Sequence, residues 1–206
     1  MLVLAYDTET TGIIRGSDYT NPANPFLASI AMLLFDSDTN KIVSSFNAVV
    51  KPNDWTMPEE AGRVNGLTNE YLNAFGIPAE IIIPTIMAFA TKADLLVAHN
   101  VEFDTKIIAT ALYRHLLNEV QPDTIEKNQE EMVAPVNFWL SLPTYCTMKE
   151  SKTIVGATNK KGALKHPKLT EAYEFFFDKP LNRAHSANAD AVAVLEIYLA
   201  LQNYEK

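Results

Sequence analysis

Leu2, Val3, Leu4, Ala5 and Tyr6 form an uninterrupted apolar run, too short for a stable isolated helix and without polar alternation. That is the pattern of a strand buried on both faces. The run leads directly into Asp7-Thr8-Glu9-Thr10-Thr11-Gly12. In an extended chain every second side chain points the same way, so the Asp7 and Glu9 carboxylates share one side. Acidic residues are poor strand formers, and local preference does not account for them. Two such groups at the end of a buried strand repel and raise each other's pKa unless something positive lies between them. A hard divalent cation with oxygen ligands resolves the conflict; an acidic surface turn is the plainer alternative. Gly12, which tolerates positive φ, is expected to let a ligand approach the backbone.

With 206 residues, 48% of them hydrophobic and 20% charged, the chain can bury one substantial core, and a single domain over 1–206 is expected. Its only cysteine, Cys146, excludes an intrachain disulfide framework and a cysteine-based zinc site. The amino terminus has no basic segment followed by a long apolar run, and Leu2–Tyr6 is far too short to span a bilayer. A cytoplasmic protein without membrane contact is therefore expected. The formal charge of −8 argues against a broad electrostatic grip on nucleic acid. A polyanionic partner would need metal ions and local basic patches to offset that field.

Residues 13–25 are rich in turn formers and read as a surface loop or lid beside the acidic pair. Phe26–Phe35 and Ile42–Lys51 flank the polar cluster Asp36–Asn40, a hairpin signal. Pro58 is placed as a first-turn residue of a short helix, and Thr68 as the cap of the next. Ile77–Ala90 predicts a helix entered near Pro84, with Ile86, Phe89 and Ala90 inward, its start blurred by the β-branched Ile81–Ile83. Asp94–Ala98 is a second short apolar strand. Asn100 is placed as N-cap of a helix reaching about Leu117, which puts Asp104 in the first turn. Asn118–Glu131 is polar and acidic, an exposed helix or part of an insertion reaching Ser141, and Tyr145–Met148 a short strand or turn.

Between Lys149 and Lys168 stand six lysines and one acidic residue, Glu150. This is either an ordinary solvated loop or a cationic guide for a polyanion. Leu169–Phe177 predicts a helix with Leu169, Ala172, Tyr173 and Phe176 on one face. Ala191–Gln202 predicts another, with Val192, Leu195, Leu199 and Gln202 at threes and fours and Ser186 or Asn188 as cap. The sum is an α/β domain with a mixed sheet flanked by helices.

Four carboxylates thus stand at element ends: Asp7 and Glu9 after the first strand, Asp104 and Asp190 in first turns of helices. Alone, each of the last two is what the helix dipole selects; their joint occurrence is the signal. His185 and Asp190 would point about 140° apart in one continuous helix. His185 is therefore placed on the loop before the helix, where both can face one site.

The blocks Asp7-Thr8-Glu9-Thr10-Thr11-Gly12, His99-Asn100-Val101-Glu102-Phe103-Asp104 and His185-Ser186-Ala187-Asn188-Ala189-Asp190 resemble, in order and spacing, the three motifs of the DEDDh family. These are the DnaQ-like 3′ to 5′ exonucleases, which include the proofreading subunit of bacterial DNA polymerase III. Val64-Asn65-Gly66-Leu67-Thr68 looks like the family's Val-His-Gly-Ile-Thr segment, but Asn65 stands for the usual His, so that contact is altered or lost. The resemblance implies a ribonuclease H-like mixed five-stranded sheet flanked by helices, and two Mg2+ or Mn2+ ions. Asp7 would bridge both ions, Glu9 and Asp190 would complete one, and Asp104 would hold the other, partly through water. His185 would be the general base. Thr10, Thr11, Gly12, Leu67, Asn100 and Phe103 would hold the terminal nucleotide.

The implied reaction is metal-dependent release of nucleoside 5′-monophosphates from single-stranded DNA 3′ ends. Nothing in these residues decides between DNA and RNA. The chain runs four residues past Gln202, which favours a stand-alone enzyme over a subunit tethered to a polymerase. A non-catalytic nucleic-acid-binding or assembly module on the same fold is the competing expectation.

Overall fold

The computed structural model describes residues 1–14, 16–119, 133–182 and 186–204. His185 and most of the polar stretch 118–131 lie outside the described residues.

Five strands, β1 (Leu2–Thr10), β2 (Leu27–Asp36), β3 (Lys41–Val49), β4 (Leu95–Ala98) and β5 (Thr144–Cys146), make one sheet in the order β3-β2-β1-β4-β5. The hairpin read around Asp36–Asn40 forms, so β2 runs antiparallel to both β1 and β3. β4 and β5 run parallel to β1 and to each other. This is the mixed five-stranded sheet expected from the motifs. Strand β1 extends past its apolar run, so Asp7 and Glu9 lie inside the strand, opposite Ala31 and Ser29 of β2. Its pairing with β4 covers only Val3 to Ala5. The second half of β1 therefore has a sheet neighbour on one side alone, and a notch opens on the other.

The period of two divides β1 between two cores. Leu4 and Tyr6 pack with Ile30, Met32 and Leu34 under α3 (Ala79–Ala90), α4 (Val101–Glu119) and α5 (Ala134–Ser141). Val3 and Ala5 pack with Ala31, Leu33 and Phe35 under α9 (Ala187–Tyr204). Asp7 and Glu9 continue this second, α9-facing row. The outer side of α9 is covered in turn by α8 (Leu169–Phe177), through Ala172 and Tyr173 against Ala193, Ile197 and Leu201.

Several sequence expectations are corrected. Helix α3 begins at Ala79 and carries Pro84 inside it. Ile82 and Ile83 are buried there, and burying an Ile is worth roughly 1.5–3 kcal/mol, against a few tenths for its poorer helix preference. Pro58 is the N-cap of α1 (Glu59–Asn65), one residue before the first turn. In α9, Val192 is 38% exposed while Ala191, Val194 and Ile197 are buried; a helix covered on two sides does not keep a single apolar stripe. α5, at the end of the stretch read as an insertion, packs into the core with Val136 and Trp139 fully buried. Trp139 Nε1 donates to Thr105 O at 3.0 Å, and its ring meets Tyr6 edge-on.

Thr68 caps α2 (Asn69–Phe75) as expected, its Oγ1 accepting the Tyr71 N–H at 3.1 Å. The segment before β2 is fastened down. Arg114 of α4 donates to the carbonyls of Pro25 (2.9 Å) and Asn24 (2.6 Å) and stacks over Phe26. Among the described residues no helix is long and apolar enough to cross a membrane.

Candidate active site

Asp7 and Glu9 project from one side of β1 toward the first turn of α9, where Asp190 is carried with its own N–H bonded to Ser186 O at 2.9 Å. One carboxylate oxygen from each of Asp7, Glu9 and Asp190 lies within 4.8 Å of the other two. Residues 183 positions apart (Asp7 and Asp190) meet because α9 packs directly across Val3 and Ala5 with its amino-terminal end over the carboxyl end of the strand.

Asp104 approaches β1 from the opposite face, at Thr8. It lies in the first turn of α4 and is 3% exposed. Its Oδ1 accepts the Thr8 hydroxyl at 2.7 Å and the Thr8 N–H at 3.1 Å. That N–H is available because β4 has already ended, so the notch in the sheet is what admits Asp104. Thr8 points away from Asp7 and Glu9 by strand alternation and thereby ties the fourth carboxylate to the strand that carries the first two.

Burial and crowding of like charge act on all of them. Asp7 is pushed well above the usual carboxylate range, first by desolvation and then by the charges of Asp104, Asp190 and Glu9. Glu9 is pushed up to about 7 by desolvation and by Asp190 and Asp104. Asp104 also rises to about 7 through desolvation, against the two Thr8 hydrogen bonds that lower it. Such a cluster is unfavourable as a set of bare anions and favourable around a hard cation. Oxygens on opposite sides of one Mg2+ stand about 4 Å apart, so Asp7, Glu9 and Asp190, within 4.8 Å of one another, need close only slightly to share a single ion. The charge of Asp104 also raises Asp7, but Asp104 is not one of the three residues whose oxygens group within 4.8 Å.

The residues expected to hold a terminal nucleotide surround this cluster. Thr10 is buried, its Oγ1 donating to Gly12 O at 2.5 Å, and Thr11 Oγ1 accepts the Phe26 N–H at 2.8 Å. Gly12 does not have positive φ, and a Cβ there would make only ordinary contact with Pro25 at 3.9 Å; its backbone needs no glycine. Leu67 and Glu9 line a common cavity of about 250 Å3 with Asn65, Tyr71 and Ser186. Phe103 packs at the edge of the core. Asn100 is exposed and sits just before α4 in the left-handed region (φ 78°), its carbonyl accepting the Phe103 N–H. A cavity of about 280 Å3 between Trp55, Pro78 and Arg114 shares none of the four carboxylates.

Two residues, Thr8 and Asn65, act here beyond the expected site residues. Thr8 stands inside the first motif block without being one of its expected site residues. Asn65 is buried, with Nδ2 donating to Thr10 O at 3.1 Å and Oδ1 accepting the Leu67 N–H at 3.1 Å. It thus ties the end of β1 to the Leu67 loop, and its departure from the family's His was the available signal. His99 bonds Thr147 and Pro167 rather than the carboxylates. His185 lies outside the described residues.

The RNase_T exonuclease family model matches residues 4–198, and the chain belongs to that family of nucleases. Its motifs place it among the DnaQ-like, DEDDh 3′ to 5′ exonucleases. No curated protein matches the sequence. Solved structures that resemble it include E. coli exonuclease I in complex with a dA16 oligonucleotide, at TM-score 0.71 and 20% identity over 98% of this chain and 41% of that one. A zinc-bound form of the E. coli exonuclease I complex with single-stranded DNA aligns at TM-score 0.68 and 18% identity, over 99% of this chain and 41% of that one. A product-bound exonuclease I aligns at TM-score 0.68 and 19% identity, over 98% and 43%. The chain thus spans about two fifths of the length of these structures, and the likeness is one of fold.

Proposed function

We propose that this chain, acting as one unit over 1–206, hydrolyses single-stranded DNA from its 3′ end and releases nucleoside 5′-monophosphates. The observation that carries the reading is the convergence of Asp7, Glu9 and Asp190 within 4.8 Å, with Asp104 held beside them by Thr8. Asp7, Glu9 and Asp190 would hold one Mg2+ or Mn2+ ion, and Asp7 with Asp104, the latter partly through water, would hold a second. When bound, the two ions supply Lewis acidity toward the attacking water and the leaving 3′ oxygen. His185 takes the proton from that water, a task suited to an imidazole whose ordinary pKa lies near neutrality.

The remaining roles belong to the rim. Thr10, Thr11 and Gly12 offer backbone to the terminal sugar, while Leu67, Phe103 and Asn100 bracket the base and its phosphate. Apolar stacking accepts every base, so little sequence preference is expected. The oligonucleotide complexes of exonuclease I, similar in fold, support a single-stranded DNA substrate. RNA is the alternative, decided by how the pocket treats a 2′-hydroxyl. The reading requires no polymerase partner, and the cytoplasm is its expected location.

The test is digestion of 5′-labelled single- and double-stranded DNA and RNA with Mg2+ or EDTA. Stepwise shortening from the 3′ end, with release of nucleoside 5′-monophosphates that EDTA abolishes, is the expected result. Absence of any metal-dependent product from a folded preparation would instead favour a binding module.

A further inference from the structure

Of the six lysines between 149 and 168, two are already used within the fold. Lys149 Nζ bonds Glu102 Oε1 at 2.5 Å, and Lys165 Nζ bonds both Glu171 oxygens at 2.6 Å. Lys160 and Lys161 are exposed and make no ion pair among the described residues. They stand at the tip of a small hairpin closed by an antiparallel bridge between Thr158 and Leu164. Asn159 fixes that tip: its Oδ1 accepts the Lys161 N–H at 2.8 Å and the Ala163 N–H at 3.1 Å. Gly162 closes the turn with φ 78°, a conformation natural only to glycine here.

The base of the hairpin is tied to the segment that carries Asp104. His99, the first residue after β4, lies with Nε2 3.0 Å from Pro167 O and Nδ1 3.0 Å from Thr147 Oγ1. A carbonyl only accepts, so Nε2 carries the proton and Nδ1 accepts from the threonine hydroxyl. Burial holds this ring neutral, its pKa lowered to about 4. On the near side, the Lys149 bond to Glu102 joins the same loop to the first turn of α4, two residues from Asp104. Because β1, β4 and β5 are parallel, their carboxyl ends share one edge of the sheet. The chain leaving β5 at that edge leads through α6 (Thr147–Glu150) and α7 (Lys152–Val155) into the hairpin. A loop that is merely solvated needs no half-buried, doubly hydrogen-bonded histidine beneath it and no side-chain-braced turn.

Resting on the nuclease reading, we propose that the Lys160–Lys161 hairpin, positioned by His99, is a second nucleic-acid contact that grips the phosphates of the strand upstream of the terminal nucleotide. The two cations offset the field of a chain with formal charge −8 where a polyanion must approach a carboxylate cluster. Single-strand binding loses about 0.7 in the slope of log K against log[salt] for each phosphate contact removed.

The test uses the full chain with Mg2+ and two probes: a hydrolysis-resistant phosphorothioate dT20 for binding by anisotropy, and ordinary dT20 and dinucleotide for turnover. The double variant Lys160→Ala, Lys161→Ala is expected to flatten the salt slope for dT20 by about 1.4, two contacts' worth. It should also lower the preference for dT20 over dinucleotide in kcat/KM. Arginine at both positions should restore the slope. His99→Ala, with the fold checked by circular dichroism, should weaken dT20 binding with no change in charge. An unaltered slope in the double variant overturns the proposal. Failure of the wild-type chain to hydrolyse either substrate would overturn the nuclease reading instead, whatever the slope.

Discussion

Thr8 is the smallest contributor to the site and the one whose removal is most informative. Its hydroxyl and N–H both serve one oxygen of Asp104. Replacing Thr8 with Val keeps the strand preference and the backbone bond and deletes only the hydroxyl. Loss of such an outer hydrogen bond to a metal ligand typically costs 10–100-fold in metal affinity or activity. The expected outcome for Thr8→Val is thus a rise of roughly that size in the Mg2+ concentration needed for half-maximal turnover; an unaltered Mg2+ dependence would detach Thr8 from the site. Asp190→Ala should abolish turnover and metal binding together. His185→Ala should retain metal binding, measured by Mn2+ titration, while turnover falls by about 10²-fold or more, the scale of a lost general base.

At the scale of elements, the site exists because β1 outruns β4. Pairing with β4 stops at Ala5, the Thr8 N–H is left for Asp104, and α9 brings Asp190 over the same strand end. The apolar run and its carboxylates were legible because a period of two fixes their side, and Asp104 and Asp190 because capping rules locate first turns. The helix α5 was not legible: Val136 and Trp139 sit in a short segment after a polar stretch, and nothing local marks them as core. Their importance is measurable. Trp139→Ala should cost about 3–5 kcal/mol, the range for a deleted buried Trp, read by urea denaturation; a loss under 1 kcal/mol would mean the Tyr6 contact and the bond to Thr105 carry little. The start of α3 was misplaced because burial of Ile82 and Ile83 outweighs a local preference.

For the whole molecule, the carboxylate cluster makes stability depend on pH and metal together. Glu9 and Asp104 have folded-state pKa values raised to about 7, and Asp7 is raised as well. Between their ordinary values near 4 and these raised ones, the folded state binds more protons than the unfolded one, so stability falls as pH rises. Without divalent ions, Tm should therefore drop between pH 5 and pH 8. Ions that bind only the folded state restore stability by mass action, and they compete with protons for the same oxygens. The gain in Tm from Mg2+ should accordingly be larger at pH 8 than at pH 5, measured by scanning calorimetry. Equal gains at both would place the metal elsewhere.

The most direct measurement is anomalous scattering at the manganese edge from crystals grown with Mn2+ and a nucleoside 5′-monophosphate. One peak bound by Asp7, Glu9 and Asp190, and a second bordered by Asp7 and Asp104, is the expected result. Manganese bound only at other positions, with these four carboxylates bare, would contradict the account.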